Sequence, residues 1–399
     1  MLDPIVIVGA GQAAAQAIQS LRQGGSSTGP NGGFKGPIAL VGDEPVLPYQ
    51  RPPLSKKYLT GEMDADRLLF RPETVYRDWG VDLRIGVRAE AIDTAAARVH
   101  LADGTTLPYG KLLIATGMRP RPLPIPGADL PGVLTLRGLA DAARIKAALT
   151  PGARLVVIGG GYIGLETAAV ARALGHEVVV LEAAERVLGR VVAPVVSEFF
   201  TAKHRRAGVD LRTATGVVGI EGTDRVRAVA LADGGRVEAD VVLISIGALP
   251  ETRLAEAAGL DVADGIRVDQ GARTSAENVF AAGDCTRFDS ARFGRSIRLE
   301  SVQNAIDQAK AAVATTLGET VVYDPVPWFW SDQYDLKLQI VGLSTGHDRY
   351  EVDGDPASEK FSVAYFAGDR LLAVDSINHP RRHMQARKLV GETWAGWPA

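Results

Sequence analysis

Gly9, Gly11 and Ala14 stand in the spacing G-x-G-x-x-A directly behind the apolar run Ile5–Val8. The first glycine permits a tight turn and the second lets the backbone approach a pyrophosphate. The small third residue keeps helix and strand close, so that a helix N-terminus is aimed at the phosphates. The chemistry is dinucleotide binding. The pattern returns at Gly159, Gly161 and Gly164, behind Arg154–Ile158. Such a motif is completed by an acid at the end of the next strand, where a carboxylate accepts both ribose hydroxyls. Glu182 ends Glu177–Leu181 and fits the usual interval of about 20 residues. A carboxylate there repels a 2′-phosphate, which favours NADH over NADPH, although Arg186 and Arg190 follow closely and are the groups that would serve a phosphate. After the first motif the acids are Asp43 and Glu44, further along than usual. The extra length is the Gly/Ser/Pro/Asn-rich piece at residues 24–37, read as an exposed flexible loop, too short of apolar residues to join a core. Two dinucleotide sites of different kind imply a resident cofactor and a visiting one, because hydride transfer needs a donor and an acceptor. The resident acceptor expected is FAD.

These residues must be positioned by strand–turn–helix units. Both apolar runs are short and β-branched, as expected for parallel strands buried on two faces, and each is followed by a helical stretch. The proline cluster from Pro120 to Gly127 suits a crossover between domains, a Gly/Pro turn follows Gly247, and beyond Tyr323 the chain turns to aromatics and alternating strands such as Phe361–Phe366. The expected division is a discontinuous FAD-binding domain (1–121 and 247–322), an inserted NADH-binding domain (122–246) and a C-terminal interface domain (323–399).

Composition narrows the function. The chain has 399 residues, with 44 Lys+Arg against 47 Asp+Glu, so no global basic field exists to hold nucleic acid. Its one cysteine, Cys285, excludes an internal disulfide, a Cys-x-x-Cys redox pair, a thiolate zinc site and a cysteine-bound iron–sulfur cluster. Without a basic partner motif, Cys285 reads as an inert core residue rather than a reactive thiol. His379 and His383 have the spacing of a metal pair, but no third ligand lies near in sequence and Pro380 disturbs the helix, so a solvated basic turn is expected and no metal. The N-terminus reads as a buried strand rather than a signal peptide, and no apolar stretch is long enough to span a bilayer; a cytoplasmic enzyme without membrane attachment is expected.

The paired glycine motifs occur with Leu112–Gly117, Thr274–Asp284, Tyr49–Lys56 and the aromatic element Trp328–Gln333. Together these resemble the FAD-containing, NADH-dependent ferredoxin reductases that serve bacterial cytochrome P450s and aromatic-ring dioxygenases, over nearly the whole chain. The resemblance implies an α/β glutathione-reductase-like flavoprotein fold, two Rossmann-like domains with a C-terminal α+β sheet domain. It places Gly9, Gly11, Ala14, Asp43, Arg51, Lys56, Ala89, Ala115, Thr116, Gly117, Arg137, Gly283, Asp284, Val302 and Trp330 on FAD, and Gly159, Gly161, Gly164, Glu182 and Gly247 on NADH. It also implies a catalytic pair, Lys56 beside the flavin N5 with Glu166 compensating its charge, since an unpaired buried ammonium is costly. Relatives that reduce disulfides or peroxides need cysteines this chain lacks, so electrons leave singly to a [2Fe–2S] ferredoxin. Lys310, Arg292, Arg295, Arg298 and Lys337 are candidates for the basic docking patch. A rubredoxin or quinone-type reductase, or a slow redox sensor like apoptosis-inducing factor, are the alternatives. The assembly expected is a monomer or weak dimer. Two departures from the family are the longer loop at Gly24–Gly36 and a C-terminus that stops early.

Overall fold

The computed structural model describes residues 2–24 and 33–398, and its contacts gather into two units. The first comprises residues 1–50, 66–119 and 249–327; the second comprises 51–65, 120–248 and 328–399.

The first unit is built on a five-stranded parallel sheet in the order Val279–Ala281, Lys111–Ile114, Ile5–Val8, Ile38–Gly42 and Val81–Ile85. Ile5–Val8 pairs on both sides, with Ile5 opposite Ile38 and Lys111, and all four of its residues are buried. That is why the run carries no polar residue. The helix Gln12–Gln23 returns over the sheet, burying Ala13, Ala14, Ala17, Ile18 and Leu21 along one face. The order of strands reverses beside Ile5–Val8, the place where open α/β sheets bind ligands. Residues 25–32 of the Gly/Ser-rich piece lie outside the described residues. Its described end corrects one expectation: Phe34 packs against the core cluster, and Arg22 donates to the carbonyls of Phe34 (2.6 Å) and Gly36 (2.9 Å). One aromatic is enough apolar surface to seat this stretch.

The second unit repeats the plan. Its parallel sheet runs Asp210–Arg212, Glu177–Leu181, Arg154–Ile158, Val241–Ile244 and Val133–Leu134, with the helix Tyr162–Ala173 following the central strand. A five-stranded antiparallel sheet, in the order Trp328–Gln333, Leu336–Gly342, Arg370–Ile377, Lys360–Ala367 and Arg349–Asp355, completes it, and the helix Pro380–Leu389 lies on that sheet. Pro380 opens this helix instead of breaking it, because a first helical position has no use for the missing N–H. His383 is buried (2% exposed) against Trp328, so the expectation of a solvated turn fails. Among the described residues no cluster of three or more potential ligands is placed to hold a metal, and no helix is long and apolar enough to cross a membrane.

Candidate active site

In the first unit, Gly9 has φ +106°, and a Cβ there would stand 2.2 Å from the Ala115 carbonyl oxygen and 3.0 Å from the Thr116 nitrogen. Only glycine fits so close to the Ala115–Thr116–Gly117 turn. Thr116 Oγ1 donates to the Glu251 carbonyl (2.6 Å), and Gly117 turns with φ +68°. Gly11 is different. It precedes the helix Gln12–Gln23 without a side-chain cap, and a Cβ would meet nothing within 4 Å. An uncapped helix N-terminus facing open space is what a diphosphate requires. Gly283 (φ +89°) carries the Ala-Gly-Asp turn to this motif, its would-be Cβ lying 3.4 Å from Ala13, and its N–H donates to Gln308. Asp284 follows it. Asp43 stands exposed after Ile38–Gly42, Ala89 opens the antiparallel strand Ala89–Asp93, and Val302 opens the helix Val302–Thr316, capped by Ser301. Arg51, Lys56, Arg137 and Trp330 fall in the second unit, where Arg51 donates to the Arg137 carbonyl (2.9 Å).

The second unit has the same geometry. Gly159 has φ +107°, with a would-be Cβ 2.4 Å from the Ser245 carbonyl oxygen, whereas Gly161 caps Tyr162–Ala173 with open space around it. Gly164 packs against the turn, where a would-be Cβ would stand 2.4 Å from the Gly159 carbonyl oxygen, which no side chain would permit. Glu182 Oε2 accepts from the Gly160 N–H and Oε1 from the Ala184 N–H, both at 2.7 Å, so the carboxylate is held against the glycine turn. Gly247 (φ +101°) lies two residues past Ser245, with Arg190 close by. Arg186 is engaged with the carbonyls of Gly189 and Val192. The residues of both motifs therefore fit a bound dinucleotide.

Lys56 and Glu166 meet in the second unit although 110 residues separate them in sequence. Lys56 follows the short helix Pro52–Ser55, and Glu166 lies on the buried face of Tyr162–Ala173. Lys56 Nζ is 2.5 Å from Glu166 Oε2, with side-chain exposures of 19% and 5%. Two residues not singled out in the sequence complete the environment: Ser55 Oγ donates to Glu166 Oε2 (2.6 Å) and Ser331 Oγ to Oε1 (2.8 Å). Ser331 shares one face of its strand with Gln333 by alternation, a face that only the structure shows to be the buried one; Ser55 carried no signal beyond its place beside Lys56. Trp330 is half-buried and stacks on Trp328, ring centres 5.7 Å apart.

Cys285 is fully buried, near the carbonyls of Ala282 and Ile114, and burial pushes its thiol up. It is no exposed nucleophile. Of the expected docking residues, Arg298 pairs with Glu300 and Asp264, Lys310 with Asp307 (3.3 Å) and Lys337 with Asp332 (3.9 Å). Arg295 is exposed, and the Arg292 backbone is bound by Asp324.

Residues 3–313 match the family model described as pyridine nucleotide-disulphide oxidoreductase, and residues 328–395 match reductase C-terminal. Rhodocoxin reductase of Rhodococcus erythropolis is 45% identical over 387 residues, covering 97% of this chain and 89% of that protein. The 5,5'-dehydrodivanillate O-demethylase ferredoxin reductase subunit of a Sphingobium species is 44% identical over 389 residues, covering 96% and 92%. Among solved structures, the covalent putidaredoxin reductase–putidaredoxin complex matches with a TM-score of 0.92 at 44% identity, covering 97% of this chain and 92% of that one.

Proposed function

Because the chain belongs to the pyridine nucleotide-disulphide oxidoreductase family, as one of its NADH-dependent FAD reductases, we propose that it feeds a [2Fe–2S] ferredoxin of a cytochrome P450 or ring-hydroxylating oxygenase. It is an NADH:ferredoxin oxidoreductase. The observation that carries this reading is the doubled cradle: two glycine turns, each ending in an uncapped, open helix N-terminus, in a chain whose one cysteine is sealed from substrate. FAD, when bound, accepts two electrons as hydride and can return them one at a time.

The chain's own residues bind and position. Gly9, Gly11, Ala14, the Ala115–Gly117 turn and the Gly283–Asp284 turn are proposed to hold FAD, with Asp43 on its ribose and Ala89 and Val302 as further contacts. Gly159, Gly161, Gly164, Glu182 and Gly247 are proposed to hold NADH, with Glu182 disfavouring a 2′-phosphate. Lys56, with Arg51, Arg137 and Trp330, is proposed to act on the flavin, its ammonium compensating negative charge that arrives with the hydride while Glu166 keeps the lysine from being buried unpaired. The division into FAD, NADH and interface domains at 1–121 with 247–322, 122–246 and 323–399 is proposed on the same basis. A cytoplasmic location, free of membrane and nucleic acid, and a monomeric or weakly dimeric assembly complete the reading.

Two measurements test it. The purified protein should be yellow, bleach on anaerobic NADH titration and rapidly reduce a purified [2Fe–2S] ferredoxin; slow reduction with a long-lived charge-transfer complex would favour a redox sensor. Lys56→Met should slow flavin reduction by NADH in stopped flow, and an unchanged rate removes Lys56 from the mechanism.

A further inference from the structure

The Glu166 carboxylate is the end of a longer run of hydrogen bonds that the ion pair with Lys56 does not explain. Ser331 Oγ, 2.8 Å from Glu166 Oε1, itself accepts from Gln333 Nε2 at 3.3 Å. Gln333 Oε1 lies 2.9 Å from His204 Nε2, and His204 Nδ1 lies 3.0 Å from the Tyr334 hydroxyl. The three middle members are sealed from water: Ser331 and Gln333 are each 1% exposed and His204 0%. In such surroundings every donor must face an acceptor, and a mismatch costs the full desolvation of the unpaired group.

With a neutral imidazole, which burial of His204 favours, that requirement leaves two self-consistent directions. In the first, the Tyr334 hydroxyl donates to His204 Nδ1, His204 Nε2–H to Gln333 Oε1, Gln333 Nε2–H to Ser331 Oγ, and Ser331 to Glu166. In the second, every bond is reversed: Gln333 is turned over, His204 carries its hydrogen on Nδ1, and Ser331 must accept from Glu166, which needs a hydrogen on Oε1. Mixed directions put two acceptors or two donors face to face. Glu166 is ion-paired with the Lys56 ammonium through Oε2, which also accepts from Ser55; a carboxylate in such a pair carries no hydrogen, so Oε1 also accepts, and only the first direction ends on an acceptor.

We propose that His204, in its Nε2–H tautomer, is a positioning residue for the Lys56–Glu166 pair: through Gln333 and Ser331 it fixes which way the run points and so holds the Glu166 carboxylate in place against Lys56. Its consequence for catalysis rests on the reading of Lys56 given above. The surroundings suit a neutral ring. Burial lowers the His204 pKa, partly opposed by the bond to Gln333; the adjoining Lys203 is paired with Asp335 and Glu359, and the Tyr334 ring stands 5.0 Å from the imidazole with Arg172 near its hydroxyl.

The test uses FAD-loaded enzyme labelled with ¹⁵N-histidine. The His204 resonances, identified by their loss in His204→Gln, should show the Nε2–H tautomer. Glu166→Gln should move them to the Nδ1–H tautomer: with Lys56 and Ser55 holding its amide oxygen, the new amide N–H₂ faces Ser331 and reverses the run. A wild-type Nδ1–H tautomer, or a tautomer that does not move in Glu166→Gln, overturns the inference. A second measurement covers poor folding of that variant. His204→Phe should slow flavin reduction by NADH about three- to tenfold, while His204→Gln, which keeps an N–H donor near the same point, should restore it; equal rates in all three overturn the inference. If the tautomers behave as stated while Lys56→Met reduces flavin normally, the run stands and the catalytic reading of Lys56 falls.

Discussion

Two glycines of the second motif, Gly159 and Gly161, should separate folding from nucleotide binding when each gains one methyl group. At Gly161 the backbone is extended (φ −84°) and the new Cβ meets nothing within 4 Å, so alanine is sterically free. Alanine is a poorer N-cap than glycine by about 1 kcal/mol, which is offset by about 0.4–1 kcal/mol from a less flexible unfolded chain. The net change is within about 1 kcal/mol, a Tm shift of no more than about 2–4 °C. The methyl nevertheless stands where a pyrophosphate approaches the helix N-terminus. Losing one charge-assisted hydrogen bond, about 2–3 kcal/mol, corresponds to about 30- to 150-fold weaker NADH binding. Gly159→Ala should behave in the opposite way. Its φ of +107° and a carbonyl oxygen 2.4 Å from the Cβ force the strand end to move. A cost of about 3 kcal/mol corresponds to a Tm loss of about 6–12 °C. Circular dichroism melts and steady-state NADH–ferricyanide kinetics on the FAD-loaded variants read the two effects. A Gly161→Ala enzyme with wild-type NADH affinity would refute the assignment of this turn to the nucleotide.

Glu182→Ala should raise the ratio of kcat/KM for NADPH over NADH by about tenfold, and an unchanged ratio would show that the carboxylate serves only the Gly160 and Ala184 N–H groups it binds. Asp375 is fully buried, its Oδ2 accepting from Tyr365 and its Oδ1 unpartnered among the described residues, and burial pushes its pKa up to about 7. A carboxyl raised on folding contributes stability below its unfolded pKa and loses it as pH rises through the folded value. Tm should therefore fall between pH 5 and 8 in the wild type and less in Asp375→Asn; parallel curves would contradict the assignment. Turnover with ferredoxin should drop several-fold between about 0.02 and about 0.2 M salt while ferricyanide turnover barely changes, if docking is electrostatic.

The parts of the site that were legible in the sequence are those whose demand is local. A left-handed turn beneath a crossing backbone admits glycine alone, so Gly9 and Gly159 announce themselves, and a strand buried on two faces must be apolar throughout, as Ile5–Val8 is. The meeting of Lys56 with Glu166 came from resemblance, since no spacing rule joins residues 110 apart. Ser331 and Gln333 alternate on one face of Trp328–Gln333, but only the structure shows that face to be the buried one, and His204, which meets Gln333, arrives from the distant helix Pro194–Arg206. Pro380 was misread because proline both breaks and begins helices, and only the first turn's geometry says which.

The bonding around Glu166 makes the pair asymmetric, and this decides which substitution is the cleaner probe. Removing the Lys56 ammonium leaves Glu166 with Ser55 and Ser331 as donors, one on each oxygen, so its hydrogen bonds persist although its charge loses its partner. Removing the carboxylate instead leaves an ammonium only 19% exposed without its acid, and reverses the demand placed on Ser331. Glu166 also sits five residues after Gly161 on one helix, about 7–8 Å along its axis, so disturbing it reaches the nucleotide turn as well. A loss of rate in Glu166→Gln therefore mixes three causes, whereas a loss in Lys56→Met, with the glycine turns and the carboxylate's other bonds intact, mixes two, the missing ammonium and the carboxylate it no longer compensates.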